Sequence, residues 1–328
     1  MEYKKIVIIG GGVLGSQIAY QCAYSGFETT ILIRKEDKKQ SIKKSLEKLK
    51  QTYIETITEM TPKHNWARGL GNPKNFNREK ALENASNALE TIKIETDQKK
   101  ALEDADLVIE SITENIEIKR NLYEQISNLL PEKTVIVTNS STLLPSKMAD
   151  ATKRPNKYLS MHFANAIWKN NIVEIMAHEK TEKKYFDEII EFGEKIGMIP
   201  LPVGKEKSGY LLNSMLVPFL LSAFDLYANG ISDPASIDKA WTLGTGAPNG
   251  PFEIMDVVGL ETVKNIVEQY QKVPTLINPL LKKMMLPYNY RGMLKIVNEY
   301  IEKGKLGKQA GEGFYKYEDQ KVIKSKDN

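Results

Sequence analysis

A histidine and a glutamate fall on consecutive predicted strands and could form a proton-transfer pair. His162 follows the predicted strand 158–161, and Glu174 lies inside the apolar run 172–175. A carboxylate in an apolar strand needs a partner, and the short connection between the two strands lets the side chains meet. Glu174 would orient the imidazole and support its protonated form, which makes His162 a candidate general base. The alternative is a core histidine whose hydrogen bond Glu174 satisfies.

Other residue types that commonly do chemistry are sparse. The chain has three histidines, and the other two are expected at the solvated surface: His64 in a polar insertion and His178 in a predicted turn. The single cysteine, Cys22, lies among apolar residues of the first predicted helix and is expected to pack as a small side chain. The sequence contains neither a Cys/His cluster nor a His-Glu-x-x-His motif, so no metal site is predicted.

The N-terminal residues carry a glycine pattern that could bind phosphate. An apolar strand runs directly into Gly10, Gly12 and Gly15, and a predicted helix follows. Gly10 would allow the tight turn, Gly12 would let the backbone approach a pyrophosphate, and Gly15 would let the helix lie close to the strand. Val13 and Leu14 complete the turn, where amides at a helix N-terminus favour an anion. The pattern predicts a dinucleotide site; the alternative is a purely structural strand–helix turn.

Strands alternate with helices over the first part of the chain, which predicts parallel βαβ units in a doubly wound sheet. The predicted strands are residues 4–9, 29–33, 91–94, 107–110, 134–137, 158–161 and 172–175. Apolar residues at helical spacing predict a long helix within 35–59, followed by a loop over 62–77. Beyond about residue 200 the pattern is mainly helical. We therefore predict an α/β, Rossmann-type domain over residues 1–202 and an all-helical second domain over 203–328.

Composition and charge are those of an ordinary globular protein, with 27% charged and 41% hydrophobic residues. The net charge of +4 is too small to indicate nucleic-acid binding, but it is compatible with an anionic small substrate. One cysteine excludes an intramolecular disulfide and fits a reducing compartment. No run reaches transmembrane length and no signal peptide precedes the first strand. We therefore expect a cytoplasmic protein that binds neither a membrane nor nucleic acid.

Ordered motifs run along nearly the whole chain. They are Gly10-x-Gly12-x-x-Gly15, Val108-Ile109-Glu110, Glu114-Asn115-x-x-x-Lys119, Asn139-Ser140-Ser141-Thr142-Leu143, His162-Phe163-x-Asn165, Val173-Glu174, Ser208-Gly209-Tyr210-Leu211-Leu212-Asn213, Gly250-Pro251-Phe252-Glu253, Asp256-x-x-Gly259, Leu306-Gly307-Lys308 and Gly311-x-Gly313-Phe314-Tyr315. In this order they resemble the motifs of the L-3-hydroxyacyl-CoA dehydrogenases. The shared order is more specific than any one motif.

The resemblance implies roles for the matched residues. His162 would be the general base for the 3-hydroxyl group with Glu174 as its partner, and Ser141 and Asn213 would hold the hydroxyl or thioester oxygen. The residues implied to contact the dinucleotide are Glu114, Lys119 and Asn165. The implied reaction is reversible hydride transfer between NAD and C3 of an acyl-CoA. The second domain would be helical and would form a homodimer.

One departure from the family pattern bears on the substrate. The family usually has Phe and Pro flanking the asparagine after the catalytic histidine, whereas this chain has Ala164-Asn165-Ala166. The wall near the base is therefore reshaped, which bears on acyl specificity. Trp168 either refills the space at Ala164 or packs in the core.

A second departure bears on the cofactor. The fingerprint expects an acidic residue at the end of the second strand, bonding the ribose 2′-hydroxyl, but Arg34 and Lys35 stand there. Arg34 could grip a 2′-phosphate and favour NADP. Alternatively, Arg34 only covers the adenine while Glu36 or Asp37 reaches the ribose. The choice between NAD and NADP stays open, and we expect relaxed discrimination against the 2′-phosphate.

Three functions follow from these patterns. The leading hypothesis is an NAD(P)-dependent dehydrogenase of short-chain L-3-hydroxyacyl-CoA. The second is a dehydrogenase of a free 3-hydroxy acid, of the gulonate or carnitine type, with the same His–Glu pair. The third is a dinucleotide-binding protein without catalysis.

Overall fold

The chain folds into two compact units. The structure is a computed structural model that describes residues 3–271, 288–318 and 321–322. The units cover Met1–Leu211 and Leu212–Asn328. Residues 203–211 therefore belong to the first unit, and the compact units divide beyond residue 202. A boundary between functional domains at 202/203 stays a prediction.

The first unit is built on one sheet. Its strands are β1 Lys5–Ile9, β2 Glu28–Leu32, β3 Lys93–Glu95, β4 Leu107–Glu110, β5 Val135–Thr138, β6 Tyr158–Phe163, β7 Ile172–Met176 and β8 Ile199–Val203. They lie in the order β3-β2-β1-β4-β5-β6-β7-β8. Every neighbouring pair is parallel except β6 and β7, which are antiparallel. The predicted α/β, doubly wound fold is confirmed, and its strand order reverses between β1 and β4, beyond whose carboxyl ends such sheets bind ligands.

Helices bury both faces of this sheet. They are α1 Val13–Tyr24, α2 Lys39–Glu59, α3 Arg78–Thr91, α4 Gln98–Leu102, α5 Ile116–Ser127 and α6 Lys183–Lys195. Because successive strand residues point to opposite faces, Ile6 and Ile8 enter one apolar cluster while Val7 and Ile9 enter another.

The long charged segment forms α2, as predicted. Its five buried residues are the ones whose spacing predicted the helix: Ile42, Leu46, Leu49, Tyr53 and Ile57. They line one side of the helix and join the larger apolar cluster. The predicted loop that follows contains one 3₁₀ turn, Arg68–Leu70.

Strand β8 was not predicted, because Pro200 and Pro202 interrupt its apolar pattern. Proline has no N–H to give to a ladder and is confined to positions where none is needed. The two prolines are separated by one residue, so both nitrogens face the same side of the strand, and β8 is the last strand of the sheet. The amide of Ile199, which has the opposite phase, donates to Asn171 O at 2.6 Å. The prolines therefore leave the pairing with β7 intact.

The second unit is helical, as predicted, apart from one short strand pair. Its elements are α7 Leu212–Ala228, α8 Pro234–Thr245, α9 Pro251–Val258, α10 Leu260–Gln271, α11 Tyr290–Glu302, β9 Tyr317–Glu318 and β10 Lys321–Val322. Phe224, Phe252 and Met293 lie in its core. Among the described helices of both units, none combines the length and the apolar character needed to cross a membrane.

Two buried aspartates hold the C-terminal motifs together. Asp256 accepts hydrogen bonds from the amides of Phe314 and Tyr315 at 2.8 and 2.9 Å, and from the Tyr317 hydroxyl at 2.8 Å. A side chain at Gly313 would collide with this carboxylate. Asp238 plays the same part at the start of α9, where it accepts from the amides of Phe252 and Glu253. These motifs therefore stabilise the fold of the second unit.

Candidate active site

The glycine turn has the shape that a dinucleotide needs. Gly10 has φ +114°, and a Cβ there would collide with the backbone of Ser111. A Cβ on Gly15 would collide with Gly10 O, so glycine allows the helix to pack against the strand. A Cβ on Gly12 would meet nothing within 4 Å, so open space lies in front of the turn.

The start of α1 is suited to an anion. Helix α1 begins at Val13 with Gly12 as N-cap, and it has neither a side-chain cap nor an acidic residue in its first turn. The amides of Val13 and Leu14 therefore have no partner within the helix and point toward its N-terminal end. With the open space at Gly12, this arrangement fits a pyrophosphate.

Three side chains form a continuous hydrogen-bonded chain at the edge where β5 and β6 end. His162 on β6 and Glu174 on β7 are directly opposite in the antiparallel register. His162 Nδ1–H donates to Glu174 Oε2 at 2.9 Å, and His162 Nε2 lies 3.1 Å from Ser141 Oγ, whose hydroxyl can donate to it. His162 and Glu174 are 6% and 1% exposed. The carboxylate therefore holds the ring with Nε2 as an acceptor, the form required of a general base.

Glu114 ties down the loop that carries Ser141. Its Oε1 accepts from Ser140 Oγ at 2.6 Å, Thr142 N at 2.7 Å and Thr142 Oγ at 2.8 Å. Burial alone would raise the pKa of Glu114, but these hydrogen bonds more than offset it and hold the pKa below its ordinary value. The Glu114 side chain is still 37% exposed, so it can reach a ligand as well as the loop.

Lys119, which the resemblance implies as a dinucleotide contact, is buried in the structure. Its side chain is 1% exposed, and its Nζ donates to Glu110 Oε1 at 2.6 Å while lying 3.8 Å from Glu114 Oε2. Glu110 also accepts from Tyr123 and Thr138 hydroxyls at 2.7 and 2.8 Å. Glu110 was not predicted as a site residue. The signal was present, since Glu110 ends an apolar strand just as Glu174 interrupts one.

The loop after His162 contains the residues that depart from the family pattern. Asn165 is exposed. Ala166 has φ +56°, and its amide donates to Gln17 Oε1 at 2.9 Å, which joins this loop to α1. Trp168 packs on the core of the first unit, with its ring 5.5 Å from that of Tyr53. Trp168 was interpreted either as filling the space at Ala164 or as packing in the core, and the structure favours core packing.

The end of β2 presents cationic side chains. Arg34 and Lys35 are exposed, and within the described parts of the chain Arg34 makes no ion pair. Glu36 is engaged elsewhere, bonding Lys39 at 2.7 Å and Thr96 Oγ at 3.0 Å. Asp37 is exposed. Arg34 and Lys35 are therefore the available cationic groups at this position, and Asp37 is an available anionic group.

Four further residues that the sequence singles out are placed as follows. Asn213 lies in the first turn of α7, in the second unit. His178 is buried, with 6% exposure, rather than solvated, so the sequence expectation for it was wrong. It packs against Tyr158 and accepts a hydrogen bond from the Lys180 amide. Burial lowers the pKa of His178. His64 is exposed, as expected, and Cys22 is fully buried.

Comparison with known proteins covers both units. The family model described as 3-hydroxyacyl-CoA dehydrogenase, NAD binding domain, matches residues 5–207, and the model for the C-terminal domain of the same family matches 209–317. The human hydroxyacyl-coenzyme A dehydrogenase, mitochondrial, is 31% identical over 96% of this chain and 91% of its own length. The 3-hydroxybutyryl-CoA dehydrogenase of Clostridioides difficile is 27% identical over 95% of this chain and 99% of its own. A solved diketoreductase, described as carrying out substrate-directed dual catalysis of dicarbonyl compounds, is 40% identical over 97% of this chain and 100% of its own, with a TM-score of 0.81.

Proposed function

The chain belongs to the 3-hydroxyacyl-CoA dehydrogenase family, and on that premise we propose that it transfers a hydride between a nicotinamide dinucleotide and C3 of a short-chain L-3-hydroxyacyl-CoA. The observation that carries this proposal is the buried Ser141–His162–Glu174 chain. It lies at the carboxyl-end edge of the sheet, in the same unit as the glycine turn.

The proton pathway follows from the hydrogen bonds. In the oxidative direction the substrate hydroxyl would take the place of Ser141 Oγ as the donor to His162 Nε2. His162 would take the hydroxyl proton as the hydride leaves C3, so no alkoxide need accumulate. A bound nicotinamide dinucleotide would supply the hydride acceptor. Glu174 stabilises the resulting imidazolium through Nδ1–H. Ser141 would donate to the substrate oxygen, and Asn213 would hold the hydroxyl or thioester oxygen.

Different residues would have different roles in holding the dinucleotide. The amides of Val13 and Leu14 would bond the pyrophosphate in front of Gly12. Glu114, which is partly exposed, and Asn165 would contact the dinucleotide. Buried Lys119 would act mainly by balancing the charge of Glu110, its direct partner, and that of Glu114 nearby.

The identity of the cofactor is a separate proposal. We propose a dinucleotide site with relaxed discrimination against a 2′-phosphate. The family model is named for NAD, whereas the exposed Arg34 offers a fork of donors that matches a phosphate.

A homodimer through the second unit is also proposed. The described residues of that unit leave large apolar side chains exposed, among them Met215, Ile231, Leu243 and Val257 at 67, 70, 84 and 58%. Sedimentation at micromolar concentration is expected to give a dimer, and a monomer would contradict it. A cytoplasmic location is proposed because the single cysteine fits a reducing compartment.

A second candidate substrate is a dicarbonyl compound or free 3-hydroxy acid without CoA. The observation in its favour is the similarity to the diketoreductase. Its sequence is 40% identical to this chain, whereas that of the human acyl-CoA enzyme is 31% identical. The small side chains Ala164 and Ala166, in the loop that follows His162, agree with an altered substrate wall.

A substrate panel distinguishes these functions. Initial rates are measured in the reductive direction with acetoacetyl-CoA, free acetoacetate and an uncharged 1,3-diketone, each with NADH and NADPH. The leading proposal expects the highest kcat/KM with acetoacetyl-CoA, and a higher value for either CoA-free compound would favour the second candidate. The variant His162→Gln serves as the blank. Dinucleotide binding without turnover of any substrate would contradict both enzyme functions and favour a binding protein.

A further inference from the structure

Residues 208–211, which we call the clamp, lie between β8 and α7 and end the first unit. Three successive residues of the clamp bond three successive carbonyl oxygens of the loop at 140–142. The bonds run from Ser208 Oγ to Thr142 O at 2.9 Å, from Gly209 N to Ser141 O at 3.2 Å and from Tyr210 Oη to Ser140 O at 2.8 Å. The backbone that carries Ser141 is therefore fixed by the clamp residue by residue.

The clamp also contacts the other two members of the proton-transfer chain. The ring of Tyr210 stacks on the imidazole of His162, with centroids 4.6 Å apart and planes 14° from parallel. Leu211 N–H donates to Glu174 Oε1 at 2.8 Å, which is the carboxylate oxygen that does not bond His162. One short segment thus touches Ser141, His162 and Glu174.

The backbone of the clamp is strained in order to make these contacts. Gly209 has φ +80°, which glycine adopts freely, but Tyr210 has φ +52°, a left-handed conformation that costs a residue with a side chain. Tyr210 is 1% exposed. Strain of this kind persists only where surrounding contacts impose it, and it concentrates at functional sites.

We propose that Tyr210 is a positioning residue for His162, an inference that rests on the proposed role of His162 as the base. The imidazole can keep both of its hydrogen bonds in only one plane, because Nδ1 must face Glu174 while Nε2 faces Ser141. A stacked aromatic ring opposes rotation out of that plane, and its negative face also favours the imidazolium formed during turnover.

The kinetic test separates the ring of Tyr210 from its hydroxyl group. Tyr210→Phe keeps the stacked ring, whereas Tyr210→Leu and Tyr210→Met remove it without changing the left-handed strain. A misplacement of about 1 Å at a reacting group costs about 10²-fold in rate. We expect kcat to fall about ten- to a hundredfold in the Leu and Met variants, with the Kd for NADH unchanged. The Phe variant should stay near wild type.

The control is Tyr24→Leu, which removes another buried tyrosine whose hydroxyl donates to a backbone carbonyl, that of Leu70 at 2.8 Å. It should lower the melting temperature but leave kcat unchanged. Tyr210→Met replaces Tyr210→Leu if the latter fails to fold. Equal losses in Tyr210→Phe and the two aliphatic variants, or wild-type kcat in the aliphatic variants, would overturn the proposal.

A second readout needs no substrate, so it stays decisive even if the proposed function fails. The chain has three histidines, and the ring signals of His162 can be assigned by NMR with His162→Gln. In wild type and Tyr210→Phe, the ring protons of His162 should show an upfield aromatic shift, which Tyr210→Leu and Tyr210→Met abolish. His64 and His178 serve as internal references. An unshifted His162 signal in wild type would refute the stacking itself.

Discussion

Replacing Glu174 by glutamine tests the proton pathway directly, because the two oxygens of the carboxylate serve different donors. Oε2 accepts from His162 Nδ1–H at 2.9 Å and Oε1 accepts from Leu211 N–H at 2.8 Å. Glutamine keeps one acceptor oxygen and gains an NH₂ group. If the amide oxygen serves Leu211, the NH₂ donates to Nδ1 and the imidazole proton moves to Nε2. Nε2 of His162, the atom that faces the substrate, then has no lone pair with which to take the substrate proton.

The size of the effect follows from the free energy needed to turn the glutamine amide into the opposite orientation. Turning the amide restores the correct imidazole form but sets the Leu211 N–H against an NH₂ group. An unsatisfied buried donor costs about 1–3 kcal/mol, which corresponds to about 5- to 150-fold in population. Glutamine also removes the negative charge beside the imidazolium. We therefore expect kcat of Glu174→Gln to fall about 10²–10⁴-fold, the range of a positioned acid–base group.

The assay is steady-state turnover of the best substrate in the panel, alongside fluorescence titration of NADH, which should bind as to wild type. The matched control is Glu188→Gln, since Glu188 is a buried carboxylate on α6 that accepts from Tyr3 Oη at 3.1 Å. Its kcat should be unchanged. A kcat for Glu174→Gln within about threefold of wild type, below the smallest effect of a general base, would refute the reasoning.

Three further predictions concern cofactor choice and stability. Wild type should prefer NAD over NADP by less than about a hundredfold in kcat/KM, about 2.7 kcal/mol, and Arg34→Ala should raise that preference; an unmoved ratio would contradict the role of Arg34. Burial depresses the pKa of His178 below 6.5, its ordinary value. As pH falls, His178 therefore becomes protonated in the unfolded chain before it does in the folded protein. The folded state accordingly loses stability as pH falls below about 6.5. His178→Gln should therefore lose less melting temperature than wild type between about pH 7.5 and about pH 5.5, whereas exposed His64→Gln should match wild type. Asp256→Ala leaves three donors without their acceptor and should lower the free energy of unfolding by about 3 kcal/mol or more, measured by urea denaturation; a loss below about 1 kcal/mol would show that water replaces the carboxylate.

Local patterns predicted the parts of the fold that depend on local rules. The buried residues of α2 follow a helical period, and the glycine turn follows from the space that each glycine must leave. The His162–Glu174 pair was predicted because an isolated carboxylate in an apolar strand requires a partner. In each case a few neighbouring residues contain the physical cause.

Features that depend on distant packing were not predicted. Burial of His178 results from contacts with Tyr158, which no local pattern specifies. The clamp places Tyr210 on His162, 48 residues earlier in the chain, through a left-handed backbone that the sequence does not indicate. Lys119 matched a motif, but its partner Glu110 explains why it is buried rather than open to a ligand.

The position of the base depends on a single reversal of strand direction. In a parallel pair, His162 and Glu174 would need a crossover connection of a dozen or more residues. Residues 164–171 instead return the chain beside β6 in antiparallel register, so the two side chains face each other across neighbouring strands. Strand β8 then pairs with the other side of β7, and Glu174 is opposite Leu201. Because β8 covers β7, the carboxylate is screened from water, and in a medium of low dielectric constant its attraction for the imidazolium is stronger. The proline-containing edge strand therefore helps to bury the carboxylate that orients the base.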